Sequence, residues 1–349
     1  MKSTGIAVLV MLALAAPASA QLGKLGDALG KAKQFTDDLT FTDDEEMQIG
    51  SEISAKLRDK YGVVQDPAVH KYVTLVGRVL AQGSSRPNLK WTFVVLDTDG
   101  VNAFAAPGGY VHITRGALAL IQSEAELADV LGHEIGHVTE KHTINAIKKS
   151  KVVGAAAKAS RREVVSEFAN RGYETLLENN FDRGDEMGAD RIGVTLANKS
   201  GYAPTGLASF LTKLADRNKG LTERSGVFAS HPETKARLDG LSKTIAASKL
   251  TASALVAPRY ASSISYKPVP VTAVAQGAPG TAKPAGSSGG MLGSLGAVGG
   301  QKSGSQTTSS AGSRGVNPDR DAKGGPIKTL VVVNVTGAEI AEFRKGIAG

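Results

Sequence analysis

Leu131-Gly132-His133-Glu134-Ile135-Gly136-His137 is the stretch on which the reading of this chain turns. His133 and His137 are four residues apart, about 40° around a helix of 3.6 residues per turn, so both imidazoles leave one face. Two neutral ring nitrogens can then meet one metal ion at roughly 2.0–2.1 Å. Glu134 projects beside such an ion, where a carboxylate can hold and deprotonate a bound water. A chance HExxH in 349 residues with only 6 histidines is on the order of 1%. Ser123 and Glu126 predict a capping box that starts the helix. Leu127, Val130, Leu131, Ile135 and Val138 give it an apolar stripe that anchors it in a core. The stretch reads as a zinc hydrolase centre.

A catalytic zinc site needs a third protein ligand. A metzincin would carry a glycine at 140 and a histidine at 143, but those positions hold Glu140 and Thr143. His142 is one residue out of register and reads as a structural residue at the helix end. Glu186 and Asp190 are the better candidates. They are four apart, so one carboxylate can bind the ion while the other accepts an imidazole N–H and fixes its tautomer. Spacing alone leaves a solvated acidic turn equally open.

Outward from this centre, the first twenty residues read as a secretory signal. Lys2 is the only charge, Ile6 to Ala16 the apolar core and Ala18-Ser19-Ala20 the cleavage site. The core is too short to span a membrane comfortably, and no other stretch approaches that length. With Cys 0, neither a disulfide framework nor a lipid-modified N-terminal cysteine is possible. A soluble periplasmic protein is expected. The formal charge of +8 is spread along the chain without interleaved aromatics, which argues against a nucleic-acid partner.

Thr42 followed by Asp43-Asp44-Glu45-Glu46 predicts an N-cap and a helix through Ile49, Ile53 and Leu57. Asp66-Pro67 starts a second helix, with His70 structural or exposed on it. Trp91–Leu96, Asn102–Ala106 and Tyr110–Thr114 predict three strands. His112 falls on the opposite sheet face from Val111 and Ile113. Further helices are expected over 185–197, 205–218 and from 234 onward. From about 264 to 325, Gly, Ser, Ala, Pro and Thr dominate without periodicity, as in a disordered linker. Thr329–Val335 then predicts a strand and Ala338–Ile347 a short helix, too small to fold alone. The expected layout is a signal over 1–20, a peptidase domain over 21–262, a low-complexity linker over 263–325 and a strand–helix segment over 326–349.

HEIGH, followed by E-x-x-x-D within Glu186-Met187-Gly188-Ala189-Asp190-Arg191-Ile192-Gly193, resembles metallopeptidase family forty-eight. The blocks NAFAAPGGYVHITRGAL at 102–118 and SHPETKAR at 230–237 match it too, and the likeness covers roughly residues 40–245. The missing membrane helices favour its soluble periplasmic BepA and LoiP type over the HtpX and CAAX types. The resemblance implies an α+β, zincin-like (gluzincin), mainly helical domain with a small mixed or antiparallel sheet. It implies Zn2+ on His133, His137 and Glu186, Glu134 as the base, and Asp190 and Arg237 behind the ligands. Gly188 departs from the pattern, where a bulkier residue is expected.

The expected reaction is hydrolysis of misfolded or misassembled envelope proteins, with the outer-membrane assembly machinery as a candidate partner. A chaperone or assembly factor with latent proteolysis is the alternative. An extended peptide would add a strand beside Asn102, Ala103, Phe104 and Ala105. His231 has three readings: a plug over the zinc, a donor to the developing oxyanion, or an ordinary helix-start residue. The family likeness favours the plug. Nothing in the sequence fixes the oligomeric state.

Overall fold

The computed structural model describes residues 39–149, 160–178, 181–218, 234–271, 274 and 326–348. The expected signal, the basic segment around 150–159, His231 and most of the linker lie outside them.

Helix α1 (Asp43–Tyr61) begins as expected. Thr42 Oγ1 accepts from the Glu45 N–H, and the Glu45 carboxylate accepts from the Thr42 N–H. Helix α2 (Pro67–Gln82) is capped by Asp66, with Pro67 in the first turn, where its missing N–H costs nothing. Strands β1 (Thr92–Leu96), β2 (Ala103–Ala106) and β3 (Tyr110–Thr114) form a sheet in the order β1-β3-β2. β1 runs parallel to β3 and β2 antiparallel to it, so the sheet is mixed. A 3-10 turn, Pro107–Gly109, joins β2 to β3. Gly108 has φ 70 there and sits so close to α1 that a Cβ would lie 2.3 Å from Met47 Cα, so only glycine fits.

The period-two alternation of the strands divides the interior in two. Phe93, Val95, Ala103, Ala105, Val111 and Ile113 join the core beneath α2. Val94, Leu96, Phe104 and Ala106 face the other core with Ile49, Ile53 and Leu57 of α1. His112 lies on this second side, with Nε2 2.9 Å from Ser54 Oγ, and burial brings its pKa down to about 3. His70 is buried and bonded to the Val64 carbonyl at 2.9 Å. Both histidines belong to packing.

The short α3 (Arg115–Leu120) leads into the metal helix α4 (Glu124–Thr139). Ser123 caps α4 by accepting from the Glu126 N–H at 3.2 Å. The reciprocal half of the expected box is absent. Glu126 accepts instead from the Gln122 N–H, Ser209 and Lys213, because the neighbouring helix offers a cation. Then come α5 (His142–Lys149), α6 (Arg161–Glu178), α7 (Arg183–Ser200), α8 (Gly206–Arg217), α9 (Thr234–Ala247) and α10 (Ala257–Ser263).

Helices α4 and α7 cross backbone to backbone. A Cβ on Gly132 would meet the Gly193 carbonyl oxygen at 2.9 Å, and one on Gly193 would meet the His133 nitrogen at 2.7 Å. One turn on, Gly136 lies against Ala189, where a Cβ would be 3.0 Å from Cα. Side chains elsewhere hold packed helices about 8–10 Å apart. Glycines remove that spacer and bring residues 133–137 within reach of 186–190.

Residues 264–271 continue along the body: Ile264 is buried, and Arg217 donates to the Val269 carbonyl at 2.8 Å. Thr329–Val335 is extended but carries no ladder among the described residues where a strand was expected; Leu330 and Val331 pack on the second core, Val335 on the main one, and Gln65 donates to the Thr329 carbonyl at 3.2 Å. Helix α11 (Gly337–Ala348) docks on α2, burying Ile340 and Ile347 in the main core. Arg259 ties it down, donating to the Phe343 carbonyl at 3.1 Å while its Nε donates to the buried Glu124 carboxylate at 2.7 Å.

Two substitutions separate the roles of neighbouring glycines. Gly193→Ala should cost about 1–3 kcal/mol in urea melts, because backbone must move to admit the methyl. Gly188 faces only His142 Cε1 at 4.0 Å, so Gly188→Ala should instead gain about 0.5–1 kcal/mol of helix stability. A neutral Gly193→Ala would show that the crossing is not fixed by this contact.

Asp129 gives a pH dependence. Its Oδ2 accepts from the Leu207 N–H at 2.9 Å, and burial pushes its pKa from 3.8 up to about 8. A raised carboxyl favours folding fully below 3.8, and that contribution drains away as pH rises toward 8. Asp129→Asn keeps the acceptor and removes the titration. Its stability relative to the parent should therefore rise between pH 4 and 8, by at most about 1.4 kcal/mol per unit. Parallel curves from the two proteins in urea would exclude this.

Candidate metal centre

The i,i+4 geometry of α4 delivers both histidines to one point. His133 Nε2 and His137 Nε2 lie 3.0 Å apart. From α7, Glu186 brings Oε1 to 3.4 Å from His137 Nε2 and Oε2 to 3.6 Å from His133 Nε2. Donors placed roughly 2.0–2.1 Å from one ion stand about 3.3 Å apart in a tetrahedron. The two imidazole nitrogens 3.0 Å apart, with the two oxygens of one carboxylate 3.4 and 3.6 Å from them, therefore converge closely enough to share one metal ion, and three protein donors leave a fourth position for water. All three side chains are buried.

The outer partners fix the tautomers. His133 Nδ1 is 2.8 Å from Asp190 Oδ1, and a carboxylate can only accept. Its proton is therefore on Nδ1, leaving the Nε2 lone pair for the ion. Arg237 of α9 is 1% exposed and grips Asp190 with two bonds, Nε to Oδ2 at 2.9 Å and Nη2 to Oδ1 at 2.6 Å. Its Nη1 lies 3.3 Å from Glu186 Oε2. Burial opposes a charge here, but Asp190 and Glu186 hold the Arg237 pKa above its usual value. Burial likewise works against the Asp190 carboxylate, which the guanidinium nevertheless holds down at about 2. His133 is pulled down to about 3 by burial and by Arg237, so it stays neutral and able to ligate.

Glu134 is fully buried beside the ligand triangle. Burial pushes its pKa up to about 8, with Glu186 adding to the rise and His137 and Arg237 opposing it. Asn102, Ala103, Phe104 and Ala105 lie on or beside the edge strand β2, as the topology requires for strand addition, and all are buried. The chain itself already uses part of that edge. The Ala103 N–H donates to Asn102 Oδ1 at 2.9 Å, and Thr143 Oγ1 of α5 donates to the Ala105 carbonyl at 3.0 Å. His231 lies outside the described residues.

His142 was read as a structural helix-end residue, yet its Nδ1 lies 2.9 Å from His137 Nδ1. Phe181 packs on the His137 ring at 4.4 Å. Burial draws His142 down to about 4. A spacing of five is off the helical face; only the reversal at Lys141, φ 56, returns the imidazole to the ligand. A histidine so soon after the motif was the available signal.

A helix-borne HExxH pair completed by a carboxylate from a second helix, against a small mixed sheet, is the zincin-like arrangement. Residues 67–245 match the description of peptidase family M48, and the chain belongs to that family. It is 28% identical to the beta-barrel assembly-enhancing protease of Yersinia pestis over 211 residues, 57% of this chain and 43% of that one. It is 30% identical to the mitochondrial metalloendopeptidase OMA1 of Schizosaccharomyces pombe over 204 residues, 56% and 59% of the two chains. The metalloprotease YcaL of Escherichia coli strain K12 is 28% identical over 210 residues, 58% and 77%. The chain spans less than half the length of the beta-barrel assembly-enhancing proteases it matches.

Glu186→Ala should lower the metal content of the purified protein, and Asp190→Ala should weaken metal affinity about 10–100-fold. Elemental analysis and chelator competition read both. Full metal occupancy in the Glu186 variant would move the third ligand elsewhere.

Proposed function

We propose that this chain is a zinc-dependent endopeptidase that cleaves misfolded or misassembled envelope proteins in the periplasm, as part of outer-membrane β-barrel assembly quality control. The observation that carries the reading is the buried His133, His137 and Glu186 triangle with Glu134 at its side. The donor set, two imidazoles and one carboxylate with a position left open, suits zinc in a hydrolase. The family supports the reaction class, and the names of the beta-barrel assembly-enhancing relatives support the setting. The signal-like first twenty residues support export. No helix of the described residues is long and apolar enough to cross a membrane.

Bound zinc would supply Lewis acidity to the attacking water and the scissile carbonyl. The chain's residues do the rest. A Glu134 carboxylate oxygen takes the proton from the water and returns it to the leaving amine. His133 and His137 direct their Nε2 atoms at one point, the first oriented through Asp190. Arg237 offsets the buried charge of Asp190 and Glu186, lying within ion-pair distance of both carboxylates and keeping Asp190 ionised. A substrate strand beside β2 would bond through its backbone and so tolerate many sequences.

One observation favours a second reading, a chaperone or assembly factor with latent proteolysis. The β2 edge is buried and held by Thr143, so peptide entry there requires the chain to give way first.

Casein cleavage by the purified full chain, with and without a zinc chelator, tests the first reading. Glu134→Gln should keep its zinc and lose nearly all cleavage. Full activity in that variant removes Glu134 from the mechanism. Absent cleavage by the parent, with undiminished suppression of aggregation of an unfolded outer-membrane protein, selects the second reading.

A further inference from the structure

Behind His133 stands Asp190. The outer nitrogen of His137 faces another imidazole. His142 opens α5, and the left-handed Lys141 turns the chain so that the two rings meet at 4.8 Å and 78°. Their Nδ1 atoms are 2.9 Å apart, and both residues are buried. Ring nitrogens that close, with no shared ion to separate two lone pairs, are one N–H and one lone pair.

The direction of that bond follows from the other side of His137. Its Nε2 lies 3.0 Å from His133 Nε2 and 3.4 Å from Glu186 Oε1, so its lone pair points at the shared centre. The proton of His137 is therefore on Nδ1, and His142 Nδ1 accepts it. The proton of His142 must then sit on Nε2. That nitrogen faces Asp185 Oδ1 at 3.6 Å. Asp185 is itself anchored, its N–H donating to Asp182 Oδ1 at 2.9 Å in the capping box of α7.

We propose that His142 is a positioning residue for the metal centre: its Nδ1 accepts the His137 N–H, fixing that ligand's tautomer and ring rotation, and its far side looks to Asp185. The two ligands are thus backed in parallel from one helix. His133 is held by Asp190 directly, and His137 by His142, whose far nitrogen faces Asp185 Oδ1 at 3.6 Å. A ring used only for packing has no need to present a lone pair at 2.9 Å from a ligand's N–H. The inference rests on the metal-centre reading above.

The test uses the full-length chain as parent, His142→Phe and His142→Gln. Phenylalanine keeps an aromatic ring beside Phe181 and offers no acceptor; the glutamine side-chain oxygen can accept the same N–H. Zinc affinity is measured by chelator competition, cobalt-substituted protein by its visible absorption, and metal-free stability by thermal melting. His142→Phe should bind zinc about 10–100-fold more weakly and shift the cobalt bands, with the metal-free melting temperature near that of the parent. His142→Gln should recover most of the affinity. Parent-like affinity and spectrum in His142→Phe overturn the inference. So does a His142→Gln protein no better than His142→Phe, both melting early without metal, which assigns the residue to packing. A parent that takes up no stoichiometric zinc overturns the metal-centre reading itself, a result distinct from either.

Discussion

The contact between Gly132 and Gly193 is the constraint on which the rest depends. Two helices approach until the atoms that meet are backbone atoms, with no side chain between. Nothing softer would place Glu186 within 3.4 and 3.6 Å of nitrogens carried by another helix. A side-chain interface has rotamers and can drift by fractions of an ångström, whereas a backbone contact has little freedom to relax. Metal coordination tolerates errors of about 0.2 Å, so the stiffness of this crossing matches the tolerance of the chemistry. The same crossing explains why ligands from two helices far apart in sequence behave as one unit.

Charge is the second constraint, and it is settled by one residue. Glu134, Glu186 and Asp190 are all buried around two imidazoles, and burial together with a neighbouring like charge pushes a carboxyl up, as at Glu134. Arg237 counters this at Asp190 by forking onto its carboxylate, and it leans on Glu186. Removing one partner of such a pair strands a buried charge, which is why ion pairs of this type are costly to break even where their net worth is small. Helix α9, which carries Arg237, is thus part of the metal centre although it supplies no ligand.

Much of this was legible in the sequence, for identifiable reasons. Helical period and cap chemistry are local, so Thr42 with Glu45, Asp66 before Pro67, and the His133–His137 pair could be read directly. Period-two alternation placed His112 on the far sheet face, where Ser54 receives it. What failed was non-local. Glu126 had the right spacing for a reciprocal cap, but Lys213 from another helix competes for it. Thr329–Val335 is rich in β-branched residues, yet strands exist only in pairs, and this run meets no ladder partner among the described residues. His142 was judged by helical register across a point where the helix stops; a left-handed Lys141 defeats any periodic rule.

The docking of α11 makes the main core depend on a segment remote from it in sequence. Ile340 and Ile347, from the last dozen described residues, fill the same core as the strands and the metal helix. Glu124, at the first turn of that helix, is bound by Tyr72 and Tyr202 as well as by Arg259, which also holds Phe343. Removing residues 337–348 would vacate the places of Ile340 and Ile347 and wet the apolar face of α2. The main core is thus finished by a clasp that lies far along the chain from the strands and helices it covers.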